Sequence, residues 1–363
     1  MRATHAFRIC LIAAAAAAGA TPVSAASDRI FWNDFEAAIT STAQTWTWVP
    51  FSGAMCGDGS SVGIGVNLTS ASARVLVYME GGGACWSEVT CYTLGTAANF
   101  TTGYSASQFA AEAASAGYLA KPGGFFDRTA AANPFKDYSY VYVPYCTGDE
   151  HAGNNIVAYG SHIGYHVGFK NMNLFLARLA DTFPGASRIV LAGTSAGGFG
   201  ATLNWWQTQQ AFPNVRVDMI DDSGAFMPED VLPMPNVTEQ AQRANWNLAA
   251  TLPPGCTTCA IGFDGIFGFY ASVFPNSRGA LLIYDPDSVL PNYFGISAST
   301  FTTGLSELET AQFNPNPHLR YFNATGPNHV LFLNPTLTTS GVTLQQFITQ
   351  MVTDDPNWIN VHP

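Results

Sequence analysis

Positive charge is scarce in this 363-residue sequence, which contains only three lysines, Lys121, Lys136 and Lys170. Acidic residues outnumber lysine and arginine by 25 to 14, which gives a formal net charge of −11 at pH 7. Proteins that bind nucleic acid neutralise its phosphates with basic side chains, so no nucleic-acid partner is expected. Charged residues make up only 11% of the chain, whereas 47% of it is hydrophobic. This composition excludes a disordered chain and predicts a globular protein with a large core.

The sequence also lacks an apolar run as long as the roughly 20 residues that a helix needs to cross a bilayer, so no membrane span is expected. A shorter, alanine-rich run at residues 9–20 follows Arg2 and Arg8 and precedes Val23-Ser24-Ala25. Two basic residues, a short apolar run and a small-x-small sequence are typical of a secretory signal peptide. Residues 1–25 are therefore predicted to be a signal peptide of a secreted protein, extracellular or periplasmic, and residues 26–363 a single domain.

Cysteine is present seven times, once within the predicted signal peptide. The other six form an even number in a chain bound for an oxidising compartment, which predicts three disulfides. Six cysteines allow 15 pairings, and short spacers favour two local bridges. The favoured pairs are Cys85 with Cys91, Cys256 with Cys259 and, as the remaining two, Cys56 with Cys146. A zinc site is the alternative, but there is no H-E-x-x-H helix and no second close ligand pair beyond His162 and His166. Neither a metal nor a cofactor is expected.

Apolar, β-branched runs that predict buried strands recur along the chain. They lie at residues 74–79, 138–144, 188–192, 215–220 and 280–284. The clearest helical pattern, at residues 168–182, has apolar residues at spacings of three and four. Strands that alternate with helices predict a doubly wound, mainly parallel α/β sheet with helices on both faces. Residues 228–274 fit no such rhythm and are interpreted as a lid or cap insertion.

A G-x-S-x-G pentapeptide at residues 193–197 lies between the predicted strand at 188–192 and a helix-like stretch. Small residues are needed at such a turn because the strand and helix backbones pass close together around a strained serine. Ser195 is therefore predicted to be a catalytic nucleophile. An ordinary glycine turn is the alternative, but the strand before the motif and the helix after it favour catalysis.

A glycine-rich loop, Gly81 to Gly83, directly follows Glu80 and the predicted strand at 74–79. Successive glycines can turn their N–H groups toward one point, as an oxyanion hole requires. The predicted oxyanion donors are the N–H groups of Gly82, Gly83 and Ala196, the residue after the nucleophile. The loop has neither the G-K-[ST] ending of a P-loop nor G-x-G-x-x-G spacing, so no nucleotide is expected.

The histidine and the acid of an α/β-hydrolase follow the serine on loops after later strands. His329 meets this condition because it follows the apolar run at residues 319–322. His318 precedes that run, and His362 is the penultimate residue. His329 is therefore the predicted general base.

Two carboxylates follow the predicted strand at residues 280–284 and could orient the imidazole. Asp287 is favoured because it lies further along the loop, whereas Asp285, directly before Pro286, can stabilise the turn. Asp221 and Asp222 come one strand earlier and are interpreted as structural. The predicted triad, Ser195, Asp287 and His329, would perform acyl transfer.

Four stretches resemble the pectin acetylesterase and Notum carboxylesterase family. They are residues 80–85 with Cys91, residues 144–149, residues 193–198 and residues 222–226. The resemblance implies an α/β-hydrolase that removes small acyl groups, typically acetyl groups on polysaccharides such as pectin. It also supports Asp287 as the acid.

The sequence departs from that family at Gly83-Ala84, where family members carry a tryptophan, and in the segment 326–329. Both departures concern the acyl pocket and its rim. The expected substrate is an ester on an acylated carbohydrate, and the alternative is a short-chain lipid or polyester ester bound in an apolar cleft formed by residues 263–274. An inactive binding protein on the same scaffold is the alternative from another class.

Overall fold

The computed structural model describes residues 37–114 and 118–363, and the predicted signal peptide lies outside them. Within the described residues, an eight-stranded sheet forms the centre of the fold. Its strands are β1 (Thr47–Met55), β2 (Ser61–Asn67), β3 (Arg74–Met79), β4 (Ser139–Val143), β7 (Arg188–Thr194), β8 (Val217–Asp222), β9 (Gly279–Asp285) and β10 (Leu319–Thr325). Two short antiparallel pairs lie outside this sheet: β5 (Asn155–Tyr159) with β6 (His162–His166), and β11 (Thr338–Thr339) with β12 (Val342–Thr343).

The described residues also form eight α-helices, most of which connect the strands. They are α1 (Ala106–Ala114), α2 (Gly168–Thr182), α3 (Ala196–Ala211), α4 (Val237–Asn245), α5 (Ile266–Val273), α6 (Leu290–Phe294), α7 (Ala298–Leu308) and α8 (Leu344–Val352). The helix predicted at residues 168–182 is α2, which buries its apolar stripe, including Met172, Phe175 and Leu179.

The sheet order is β1-β2-β4-β3-β7-β8-β9-β10. From β4 to β10 every neighbouring pair is parallel, whereas β1 and β2 add an antiparallel edge. The residues of β4 are buried throughout, as expected for a parallel strand covered on both faces. The expectation of a mainly parallel α/β sheet is confirmed, and the antiparallel edge is an addition that the sequence pattern did not predict.

The segment predicted to be a lid, residues 228–274, lies between β8 and β9 and contains α4 and α5. Its middle part is hydrogen-bonded to the residues that follow the glycine loop at residues 81–83. The indole N–H of Trp246 donates to the carbonyl of Cys85 at 2.9 Å, and the amide of Asn245 donates to the carbonyl of Trp86 at 2.8 Å. These bonds fix this part of the segment beside the glycine loop, and its role as a lid stays a prediction.

The three disulfides are those that the cysteine spacing favours: Cys56–Cys146, Cys85–Cys91 and Cys256–Cys259. The sulfur atoms of Cys85 and Cys91 lie within 4.8 Å of a ring nitrogen of His166. Sulfur atoms joined in a disulfide lack the thiolate charge that metal ligation needs. In the part of the chain that the structure describes, no helix combines the length and apolar character needed to cross a membrane.

Buried ionisable groups have shifted pKa values because burial disfavours the charged form. Burial raises the pKa of Glu150 from 4.5 to about 8, although the hydroxyl of Tyr293 donates to its Oε1 at 2.5 Å. The pKa of Asp149 rises for the same reason to about 7. Burial lowers the pKa of the imidazoles of His151 and His166 to about 4.

We expect the protein to melt at a higher temperature at about pH 6.5 than at about pH 8.5. A carboxyl group with a raised folded-state pKa contributes stability that is present below its unfolded pKa and is lost as the pH rises through the folded value. For Glu150 this loss extends up to about pH 8. The two histidines act in the opposite sense, but their loss occurs as the pH falls from 6.5 to about 4.

The matched variant is Glu150→Gln, which keeps an acceptor for the Tyr293 hydroxyl and cannot ionise. It should raise the melting temperature at about pH 8.5 by roughly 2–5 °C and change it less at about pH 6.5. Calorimetric melting at both pH values checks this. Equal destabilisation at the two pH values would contradict the assignment of Glu150 as a neutral buried carboxyl group.

Candidate active site

Ser195 lies at the sharp turn between β7 and α3, with φ of 56° and ψ of −123°. A positive φ of this kind is uncommon for a residue with a side chain and is typical of strained functional turns. Two glycines permit the close approach of the backbones around this turn. A Cβ atom at Gly193 would collide with the carbonyl of Gly197, and one at Gly197 would collide with the carbonyl of Met79. The close approach of strand and helix that the pentapeptide predicts is therefore present.

The glycine loop at residues 81–83 lies directly beside Ser195. A Cβ atom built on Gly81 would lie 2.9 Å from the Cβ of Ser195. Gly82 and Gly83 have φ values of 154° and 75°, which favour glycine. Within the described residues, the N–H groups of Gly82, Gly83 and Ala196 donate to no acceptor. The three predicted oxyanion donors are thus unpaired among the described residues, and each lies next in sequence to Ser195 or to a residue of the loop beside it.

Asp287 and His329 form a hydrogen-bonded pair. The Nδ1 atom of His329 lies 2.8 Å from Oδ2 and 3.0 Å from Oδ1 of Asp287. The Asp287 side chain is fully buried, and its Oδ1 also accepts the N–H groups of Val289 at 2.7 Å and Leu290 at 2.9 Å. A carboxylate fixed in this way holds a proton on Nδ1, so the lone pair of a neutral imidazole is on Nε2.

The Nε2 atom of His329 is buried and has no hydrogen-bond partner among the described residues. Buried polar atoms without partners are rare in folded proteins and call for an explanation. The structure forms no hydrogen bond between Ser195 Oγ and this atom, so Nε2 has no partner that would compete for the proton of the serine hydroxyl. By contrast, Asp285 accepts the hydroxyl of Thr302 at 2.5 Å and makes no hydrogen bond to His329.

The topology explains why residues distant in sequence converge. Ser195 follows β7, Asp287 follows β9 and His329 follows β10, and these strands run parallel. The carboxyl ends of parallel strands meet at one edge of the sheet, where ligands of α/β proteins bind. His318 lies at the other end of β10, where its carbonyl accepts the N–H of Gly279.

The glycine loop is held in place by His151 and by the carboxyl group of Glu80, neither of which has a role in the predicted site. The Nε2–H of His151 donates to the carbonyl of Glu80 at 2.8 Å, and the carboxyl group of Glu80 accepts the N–H of Tyr145 at 2.9 Å. Burial, together with the charge of Glu112, raises the pKa of Glu80 to about 8. Nothing in the sequence indicated that His151 contacts the loop, because His151 is far from it along the chain. Glu80 was marked only by its position directly before the glycines.

A narrow, largely apolar cavity lies beside α3 and is lined by Phe199, Phe226, Phe263, Tyr293 and Glu150, among others. About 30 Å³ of it is open to water-sized groups. None of Ser195, Asp287 and His329 lines this cavity. It is therefore separate from the predicted triad residues.

A serine on a strained strand-to-helix turn, with an Asp–His pair on later loops of a mainly parallel sheet, is the arrangement of the α/β-hydrolase class. The family model described as Pectinacetylesterase matches residues 39–268. This match spans well over half of the chain, and the chain belongs to the pectinacetylesterase family of carboxylic ester hydrolases. The matched range includes the glycine loop and Ser195, whereas Asp287 and His329 lie beyond it.

Curated relatives support the same family. The palmitoleoyl-protein carboxylesterase NOTUM of Mus musculus is 24% identical over 178 residues, which cover 47% of this chain and 34% of that protein. The NOTUM protein of Drosophila melanogaster is 26% identical over 216 residues, 56% of this chain and 31% of that protein. The matched parts thus span only about a third of these relatives.

Among solved structures, the Wnt deacylase Notum from Drosophila superimposes with a TM-score of 0.65 at 16% sequence identity. The superposition covers 86% of this chain and 94% of that one. This likeness establishes the shared fold.

Proposed function

We propose that this chain is a secreted serine carboxylesterase that hydrolyses small acyl esters, with acetyl groups on a polysaccharide such as pectin as the substrate class. The observation that carries the proposal is the Asp287–His329 pair, whose buried Nε2 has no partner. Ser195 on its strained turn and the unpaired N–H groups of the glycine loop supply the other groups that acyl transfer needs.

In the proposed reaction, Ser195 Oγ attacks the ester carbonyl carbon while its proton moves to Nε2 of His329. The negative charge that develops on the carbonyl oxygen is stabilised by the N–H groups of Gly82, Gly83 and Ala196. The carbon–alkoxy bond then breaks, and the alcohol leaves with the proton from His329. Water, deprotonated by the same imidazole, attacks the acyl-enzyme, and the carboxylic acid and free Ser195 are released.

One observation supports a small acyl group. The name of the family refers to acetyl esters. The palmitoleoyl group in the names of the curated relatives refers to those proteins.

Secretion is supported by the signal-like segment at residues 1–25 and by three disulfides, which persist in oxidising compartments. The proposed substrate is therefore a polymer outside the cytosol. Because the chain has a net charge of −11, a neutral acetylated polymer should approach it more readily than a polyanionic one.

The test is acetate release from acetylated pectin and acetylated xylan, measured alongside p-nitrophenyl esters of increasing chain length. We expect acetate release from polysaccharide and a kcat/KM that falls as the acyl chain lengthens beyond a few carbons. Activity restricted to longer acyl chains or to polyesters would contradict the proposed substrate class and favour the lipid or polyester alternative.

A further inference from the structure

Asp222, the last residue of β8, is completely buried and contacts both the nucleophile turn and the histidine loop. Its backbone carbonyl accepts the N–H of Ser195 at 2.7 Å. Its carboxylate Oδ2 accepts the N–H groups of Leu331 at 2.8 Å and Phe332 at 2.7 Å. One residue therefore connects the two groups between which the proton of the reaction must move.

The residue after Asp222 extends this connection to the neighbour of the catalytic histidine. The hydroxyl of Ser223 donates to Asp222 Oδ1 at 3.1 Å and accepts the N–H of Val330 at 3.1 Å. Val330 directly follows His329 and has a φ of 59°. A β-branched residue in the left-handed region is strained and persists only where its surroundings fix it. The bonds to residues 330, 331 and 332 provide this fixation.

The charge of Asp222 also favours the protonated form of His329 that the reaction transiently creates. Burial raises the pKa of Asp222 to about 6, against the lowering effects of the N–H groups that it accepts and of the nearby charge of His329. The carboxylate is thus ionised in the neutral to mildly alkaline range. A second carboxylate near the imidazole, besides Asp287, attracts the positive charge as it forms.

We propose that Asp222 is a positioning residue for the esterase reaction: it fixes the strained loop that carries His329 relative to Ser195 and presents a negative charge to the imidazolium. This inference rests on the proposed function of the Ser195 site. It assigns a role in turnover to a carboxylate outside the triad, at a strand end where the sequence indicated only a structural residue.

Asp221 provides a matched control on the same strand. It is equally buried, but its Oδ2 accepts the hydroxyl of Thr202 in α3 at 2.8 Å and makes no bond to the histidine loop. Asp221→Asn and Asp222→Asn both replace a buried carboxylate with its neutral isostere. Only the second replacement alters the contact to the histidine loop. In that variant the amide oxygen can still accept the N–H groups of Leu331 and Phe332, so the fold keeps a neutral acceptor there.

The experiment measures kcat and KM for p-nitrophenyl acetate at about pH 8, where Asp222 is ionised, with folding checked by near-UV circular dichroism. For Asp222→Asn we expect kcat to fall by about 10- to 100-fold while KM stays within about twofold, since the imidazolium that forms in the reaction loses a neighbouring negative charge and the histidine loop loses its charged acceptor. Asp221→Asn should keep kcat within about twofold. Equal losses in the two variants, an unchanged kcat for Asp222→Asn, or an effect on KM alone would each overturn the proposal.

Ser223→Ala keeps the proposal testable if Asp222→Asn does not fold. It removes both the acceptor of the Val330 N–H and the hydroxyl that donates to Asp222 Oδ1, and it should lower kcat by several-fold, on the order of one or two lost hydrogen bonds, at unchanged KM. An unchanged kcat in a folded Ser223→Ala protein would count against the positioning role. Ser195→Ala distinguishes failure of this inference from failure of the proposed function. Activity that survives in Ser195→Ala would contradict the proposed function. An inactive Ser195→Ala together with a fully active Asp222→Asn would contradict only the role of Asp222.

Discussion

Ser195→Ala should lower the kcat for p-nitrophenyl acetate by about 10⁴-fold or more while leaving the fold intact. The hydroxyl is the proposed nucleophile, and no other group in the described part of the site combines a strained strand-to-helix turn with unpaired N–H donors beside it. Alanine fits the turn as well as serine does, so the melting temperature should stay close to that of the unmodified protein. Steady-state kinetics and a thermal melt of both proteins check this.

Asp285, the last residue of β9, provides a control for Asp287, which lies two residues later. Asp287→Asn should reduce kcat by about 10⁴-fold, because an amide in place of the carboxylate favours the wrong imidazole tautomer. Asp285→Asn should leave kcat within about twofold, since Asp285 bonds to Thr302 and not to His329. If the Asp285 variant were the inactive one, the assignment of the triad acid would be wrong.

Replacing Cys56 and Cys146 together by serine should cost the protein about 2–5 kcal/mol of its free energy of unfolding. Their disulfide joins residues 90 positions apart and ties the end of β1 to the loop after β4. Without it the unfolded chain regains the freedom of a long closed loop. Urea unfolding of the oxidised double variant measures the change, which should appear as a lower midpoint.

The Cys256–Cys259 disulfide, which spans only three positions, is the matched control. This disulfide closes almost no loop, so its replacement by serine should cost roughly 2–3 kcal/mol less than loss of the long-range bridge. Equal destabilisation by the two double variants would mean that packing around the cysteines outweighs the entropy of loop closure.

The parallel part of the sheet was predictable because buried parallel strands are continuous apolar runs. The runs at residues 74–79 and 188–192 lie in β3 and β7, and the helix predicted at 168–182 is α2. The antiparallel edge was not predicted, because β1 contains Pro50 and Gly53 and buries only alternate parts of its length. Proline and glycine weaken a strand signal, although an edge strand tolerates both.

The candidate site divides in a similar way. The sequence pointed to Ser195, Asp287 and His329 because α/β-hydrolases place these residues on successive loops. It gave no reason to connect His151 with Glu80, since the hydrogen bond between them joins residues 71 positions apart. Nor could it show that Asp222 bonds to residues more than 100 positions later.

The sequence by itself predicted the apolar runs of the parallel strands, the serine turn, the cysteine pairs favoured by spacing, and the residue types of the proposed triad with their order along the chain. Each of these is a local property, fixed by neighbours within a few residues or by their order along the chain. Only the tertiary structure decided that Asp287 and not Asp285 contacts His329, and that Asp222 holds the histidine loop. Those contacts depend on side-chain directions at the ends of different strands, which are set by how the strands align in the sheet and how the loops pack.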